Sequence, residues 1–168
     1  MTSASQIAAM LKLKPLPQEG AYFIETYRSR EHIPKEALPG CYTAPRSFST
    51  AIYYLVTAET FSAMHRLCSD EIYHFYLGSP VEMLQIHPDG SFKVHRLGPD
   101  IASGMEPQIV IPKGVWQGSR LLPGGEFALL GTTVAPGFDP ADYEHGRRED
   151  LIRLCPQARD LITALTDA

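Results

Sequence analysis

Residues 65–80, HRLCSDEIYHFYLGSP, set His65, Glu71 and His74 close together in the chain. Imidazole and carboxylate at short range support three kinds of site. They can bind a divalent metal such as Fe, Mn, Ni or Zn. They can act as a general base and the acid that orients it. They can also be an ordinary polar patch. Which of these applies depends on facing. If FSAMHRL is a strand, Phe61, Ala63, His65 and Leu67 share one face. If EIYHFYL is a strand, Glu71, Tyr73 and Phe75 share a face, and His74 points away unless a bulge intervenes. His65 and Glu71 meet only if both faces line one interior. A buried Glu71 without a partner would carry a large desolvation cost, which favours a position beside His65.

The surrounding chain reads as strands that can build such an interior. AYFIETYRS alternates, with Phe23, Glu25 and Tyr27 on one side and Tyr22, Ile24, Thr26 and Arg28 on the other. Glu25 and Arg28 therefore fall on opposite faces, one toward a pocket and the other toward a dimer contact, with a surface salt bridge the alternative for either. Residues 30–47 show little periodicity and read as a long loop. From 48 to 134 short strands recur between turn signals: STAIYYLVT, FSAMHRL, EIYHFYL, VEMLQIH, FKVHRL, QIVIP, VWQGSRLL and FALLGTTV. Asp89-Gly90 marks a hairpin. Helical periodicity appears only at the ends. Ser3 or Ser5 caps a first helix that Pro15 and Pro17 terminate. Leu151, Leu154, Leu161, Ile162 and Leu165 predict two C-terminal helices over about 147–166, the second starting at Pro156.

Composition narrows the function classes. The 168 residues are 44% hydrophobic and 20% charged, a globular balance for one domain, 1–168, with its β core over about 20–135. The net charge of −4 and the absence of a basic cluster argue against nucleic acid. No apolar run approaches the roughly 20 residues needed to span a bilayer. Cys41, Cys68 and Cys155 are far apart and odd in number, which fits reduced, buried thiols in a cytoplasmic protein. No P-loop, dinucleotide fingerprint or H-E-x-x-H motif is present, so no nucleotide or flavin cofactor is expected.

The stretch from His65 to Gly78, with PKGVWQG, resembles the two motifs of the cupin superfamily. His65, Glu71 and Gly78 match the first motif, while Leu67 stands where a second histidine is usual. Pro112 and Gly114 match the second, while Gln117 stands where its histidine is usual. The ordered segments EGAYFIETYRS, STAIYYL, SDEIYHFYLG, VWQGSRL and LLGTTVAPGFDPADYEHG extend the likeness over about residues 12–165. They are similar to the small single-domain cupins sometimes called the cupin 5 family. The resemblance implies an all-β jelly-roll barrel with short flanking helices, and usually a homodimer.

It also implies a site. His65, Glu71 and Gln117 would be the metal ligands, with His74 a fourth only if its strand kinks inward. Leu67 cannot ligate, and an amide oxygen at Gln117 is a weaker donor than imidazole for transition metals. His65 and Glu71 are the catalytic candidates. Tyr53, Tyr73, His74, Trp116, Gln117, Glu25 and Arg28 are the candidate pocket residues. The functional expectation is small-molecule binding, with isomerase, epimerase or metal-dependent chemistry on a sugar-like or carboxylate ligand. The alternative is a non-catalytic binding or sensor protein whose altered motif has lost its metal.

Overall fold

Ser3 opens the first helix. Its hydroxyl accepts from the Gln6 amide nitrogen at 3.3 Å, and the Gln6 side chain accepts from the Ser3 amide at 2.8 Å. This capping box satisfies two otherwise unpaired donors at the start of α1, Ala4–Leu11. The helix stops at Lys12, in the left-handed region at φ 56°, before Pro15 is reached. The computed structural model describes residues 3–16 and 21–167, so Pro17, the second expected stop, lies outside the described residues.

Among the described residues, thirteen strands follow. They are β1 (Lys14–Pro15), β2 (Tyr22–Arg28), β3 (His32–Ile33), β4 (Arg46–Ser47), β5 (Thr50–Thr57), β6 (Ser62–Arg66), β7 (Asp70–Gly78), β8 (Val81–Ile86), β9 (Phe92–Leu97), β10 (Gln108–Ile111), β11 (Trp116–Leu121), β12 (Phe127–Ala135) and β13 (Glu144–His145). The segment expected to be a long loop thus carries the small β3–β4 pair. One sheet runs β1-β2-β5-β12-β7-β10, and the other runs β13-β6-β11-β8-β9. They form the all-β jelly-roll expected, as a sandwich whose two sheets do not close on each other. The hairpin at Asp89-Gly90 joins β8 to β9, with Gly90 at φ 82° and the His87 amide donating to the Ser91 carbonyl at 2.8 Å.

Three apolar layers hold the sheets in place. Between the sheets, Tyr54, Val56, Tyr73, Ile109, Ala128 and Leu130 meet Val81, Met83, Leu97 and Leu121. Outside the five-stranded sheet, Met64, Leu84 and Ile86 pack on Leu151, Cys155, Ile162 and Leu165 of the C-terminal segment. That segment holds α2 (Arg148–Leu154) and α3 (Arg159–Ala164), linked by a 3-10 turn that starts at Pro156. Outside the six-stranded sheet, Ile7 of α1 covers Leu55 and Leu129. Burial of each large side chain contributes about 1.5–3 kcal/mol. Among the described residues, no helix is long and apolar enough to cross a membrane.

Sequence alternation fails where strands bulge. Between β6 and β11 the register shifts between Gln117 and Ser119. Phe61 therefore joins the outer layer with Met64, while His65 and Leu67 face inward. Two cysteine expectations also change. Cys41 is exposed and Cys68 half-buried, and the fold brings them side by side; only Cys155 is a buried thiol. His95 of β9 is buried, with its Nδ1 2.7 Å from a Glu106 carboxylate oxygen.

Candidate functional site

β6, β7 and β11 bring His65, Glu71 and Gln117 together. Gln117 pairs with His65 across the β6–β11 ladder, and all three side chains are buried. The Gln117 amide nitrogen donates to a Glu71 carboxylate oxygen and lies 3.3 Å from His65 Nε2. His65 Nδ1 lies 2.7 Å from the Ala63 carbonyl, an atom that can only accept. Nδ1 therefore carries the proton, and Nε2 offers its lone pair to the Gln117 amide. That assignment makes the ring neutral. Burial also pushes the His65 pKa below its ordinary value of 6.5, against an opposing pull from Glu71. Tyr143 stacks on the imidazole at 5.0 Å between ring centres.

His65 and Glu71 form one wall of a cavity of about 170 Å³, whereas Gln117, expected in the pocket, sits behind them and does not line it. Most of the remaining wall is apolar: Leu16, Phe23, Ile52, Leu67, Val134 and Phe138. Tyr54 and Tyr73 also line it, with their rings edge-to-face at 6.2 Å. Arg28 and Glu25, both partly exposed, form the mouth. The Arg28 guanidinium donates to both Glu25 carboxylate oxygens, at 2.9 and 2.8 Å, and to the Phe138 carbonyl at 3.2 Å. Its hydrogen bonds to Glu25 raise its pKa above the usual arginine value.

Several expectations about the site are corrected by this geometry. Glu25 and Arg28 are not on opposite faces. A register shift between Glu25 and Tyr27 restarts the alternation, so both line the cavity. Tyr53 points outward, where it packs beneath α1 and against Tyr76, and its neighbour Tyr54 takes the pocket position. His74 also points outward, to Thr133 at 3.3 Å and Gln108 at 3.1 Å, because β7 has no kink at that position. Trp116 lies on the outer layer against the C-terminal helices, with the Arg66 guanidinium 4.4 Å above its ring. Leu67, the residue in place of the motif's second histidine, supplies apolar wall.

The donor set does not fit the metal site that the resemblance implies. Among the described residues, no group of three or more His, Cys, Asp or Glu side chains is placed to hold a metal ion. Gln117 does not complete the set with its oxygen. Its NH₂ group faces both Lewis bases, occupying with a hydrogen-bond donor the place where a cation would bind, and its Oε1 is buried without a hydrogen-bond partner. Gly78, the motif glycine, has a steric role: at φ 104°, an added Cβ would lie 2.4 Å from the Phe127 carbonyl oxygen.

A profile described as Cupin superfamily (DUF985) matches residues 5–146. The chain belongs to this family. It is 33% identical over 144 residues to the uncharacterized protein YML079W of Saccharomyces cerevisiae, covering 81% of this chain and 72% of that protein. Protein SO0799 from Shewanella oneidensis superposes with a TM-score of 0.87 at 30% identity, over 99% of each chain. A hypothetical protein from Leishmania major gives the same TM-score at 28% identity, again over 99% of each chain. Oxalate decarboxylase from Bacillus subtilis shares only the fold, at TM-score 0.54 and 12% identity over 92% of this chain and 37% of that one.

The neutral, buried state of His65 has a consequence for pH dependence. Its folded pKa lies below 6.5, so the unfolded chain takes up a proton first as pH falls. The contribution is therefore intact above about 6.5 and lost progressively below it, at up to about 1.4 kcal/mol per pH unit. His65→Gln should flatten this part of the profile. Urea unfolding of both proteins at intervals from pH 7.5 down to 5 measures the difference, and parallel profiles would assign the acid sensitivity to other groups.

Proposed function

We propose that the cavity takes a small molecule about the size of one ring, and that Glu71, held by Gln117 and backed by neutral His65, moves a proton on it without a resident metal. Size supports the first part. Engineered apolar cavities of about 150 Å³ take benzene, and this one measures about 170 Å³. A nucleotide-linked sugar would not be enclosed. The largely apolar wall suits a carbocyclic or aromatic ring with one polar edge better than a fully hydroxylated sugar.

The Gln117 bridge supports the second part. It holds a buried carboxylate and a buried imidazole at one edge of an apolar chamber, where their electrostatic effects are strengthened. In the proposed step, Glu71 takes a proton from a carbon beside a ligand carbonyl. The C–H electron pair moves into the carbonyl, giving an enolate whose oxygen accepts hydrogen bonds from wall hydroxyls. Glu71 then returns the proton at a neighbouring atom, which makes the reaction an isomerisation.

A second reading is a non-catalytic binding protein. It is favoured by one observation: both His65 nitrogens already have partners. A panel of single-ring carbonyl compounds, incubated with the protein in D₂O and followed by NMR, separates the two. Deuterium entering beside the carbonyl, about 100-fold slower in Glu71→Gln, is the expected result. Saturable binding of a panel member without any exchange would leave only the binding protein.

A further inference from the structure

Two cysteines outside the cavity are placed for chemistry that the proposed reaction does not use. Cys41 lies in the segment before β4, and Cys68 at the corner between β6 and β7. They are 27 positions apart in sequence, yet each faces the other's backbone. Cys41 Sγ is 4.0 Å from the Cys68 carbonyl oxygen, and Cys68 Sγ is 3.6 Å from that of Cys41. Tyr42 fixes this approach. Its hydroxyl donates to the Cys68 carbonyl at 3.0 Å and lies 3.0 Å from Ser69 Oγ. Its ring also lies under the Arg46 guanidinium, which is bound to Asp142. An open groove reaches both thiols, with Arg66 and Lys113 among its lining residues.

We propose that Cys41 and Cys68 form a reversible intramolecular disulfide by exchange with a low-molecular-weight disulfide. Cys41 is the exposed thiol and attacks first. Its sulfur displaces one half of the small disulfide as a thiol, leaving a mixed disulfide on Cys41. Cys68 then loses its proton and attacks Cys41 Sγ, forming the Cys41–Cys68 bond and expelling the second half as a thiol. Two protein thiols are oxidised, and one small disulfide is reduced to two thiols. The order agrees with the acidity of Cys68, whose thiol is pushed up to about 11 by burial and by Cys41, so it resolves rather than initiates. The bond would staple the segment carrying Cys41 to the corner between His65 and Glu71, next to cavity residue Leu67.

The test uses the whole protein equilibrated with glutathione disulfide and glutathione at graded ratios, quenched with acid. Thiol titration under denaturing conditions should fall from three to one, with Cys155 the survivor. Peptide mapping should recover a Cys41–Cys68 link, and the oxidised protein should melt about 5–10 °C higher. Cys68→Ser should instead stop at glutathione bound to Cys41. Three unreacted thiols, a wild-type protein that stays glutathionylated at Cys41, or links only between chains would each overturn the proposal.

Discussion

Asp142→Asn is expected to destabilise the fold by about 3–5 kcal/mol, because it strands a buried guanidinium. Arg46 and Asp142 are 2% and 3% exposed and make a two-pronged pair at 2.7 and 2.6 Å. The remaining Arg46 donor serves the carbonyls of Ala44 and Pro45 at 2.9 and 3.0 Å. Asparagine keeps the shape but removes the charge, so the loss is that of an uncompensated buried cation. For a chain of this size the melting temperature should fall by roughly 6–20 °C. The pair also anchors the strap that supplies Phe138 and Pro140 to the cavity wall and Tyr143 to the face of His65. Ligand affinity should therefore fall together with stability. Urea unfolding and calorimetric melting check the first effect. A loss below about 1 kcal/mol, the range of exposed pairs, would mean that water reaches this pair.

Substitutions at Gln117 should have effects of similar size and opposite sign. Gln117→Leu removes the donor shared by Glu71 and His65, at a cost of about 1–3 kcal/mol for each hydrogen bond lost at a buried acceptor. Loss of the unpaired Oε1 offsets part of that cost. Gln117→His is expected to convert the site. It places a second imidazole beside His65 and Glu71, completing three donors suited to Zn or Mn. Saturating metal at about 100-fold over its Kd adds about 2.7 kcal/mol, a rise of roughly 5–10 °C in melting temperature. The same metal should leave the wild-type melting curve unchanged. A metal-dependent rise in wild type would show that the Gln117 amide turns over to present its oxygen.

Most strands were legible from sequence because Gly and Pro turns bracket them and the core faces alternate. Facing was legible only where one side of a strand meets water. β5 is covered on both faces, by the inter-sheet core and by α1, so Tyr53 and Tyr54 look equivalent and only the structure separates them. Bulges hid the shared face of Glu25 and Arg28, because no glycine or other local marker flags the shift between Glu25 and Tyr27. His65 and Glu71 were found from their motif spacing. Tyr143, the Arg46–Asp142 anchor and the Cys41–Cys68 approach are long-range contacts. They join segments 27–96 positions apart that lack a period to relate them.

The bridge at Gln117 is tested most directly by long-range ¹H–¹⁵N NMR of the His65 ring, recorded from pH 7.5 to 5 with and without Zn²⁺. A neutral ring protonated at Nδ1, with no titration near 6.5 and no response to Zn²⁺, is the expected result. A ring protonated at Nε2, an imidazolium at neutral pH, or an Nε2 signal shifted by stoichiometric Zn²⁺ would contradict the proposed metal-independent role of this site.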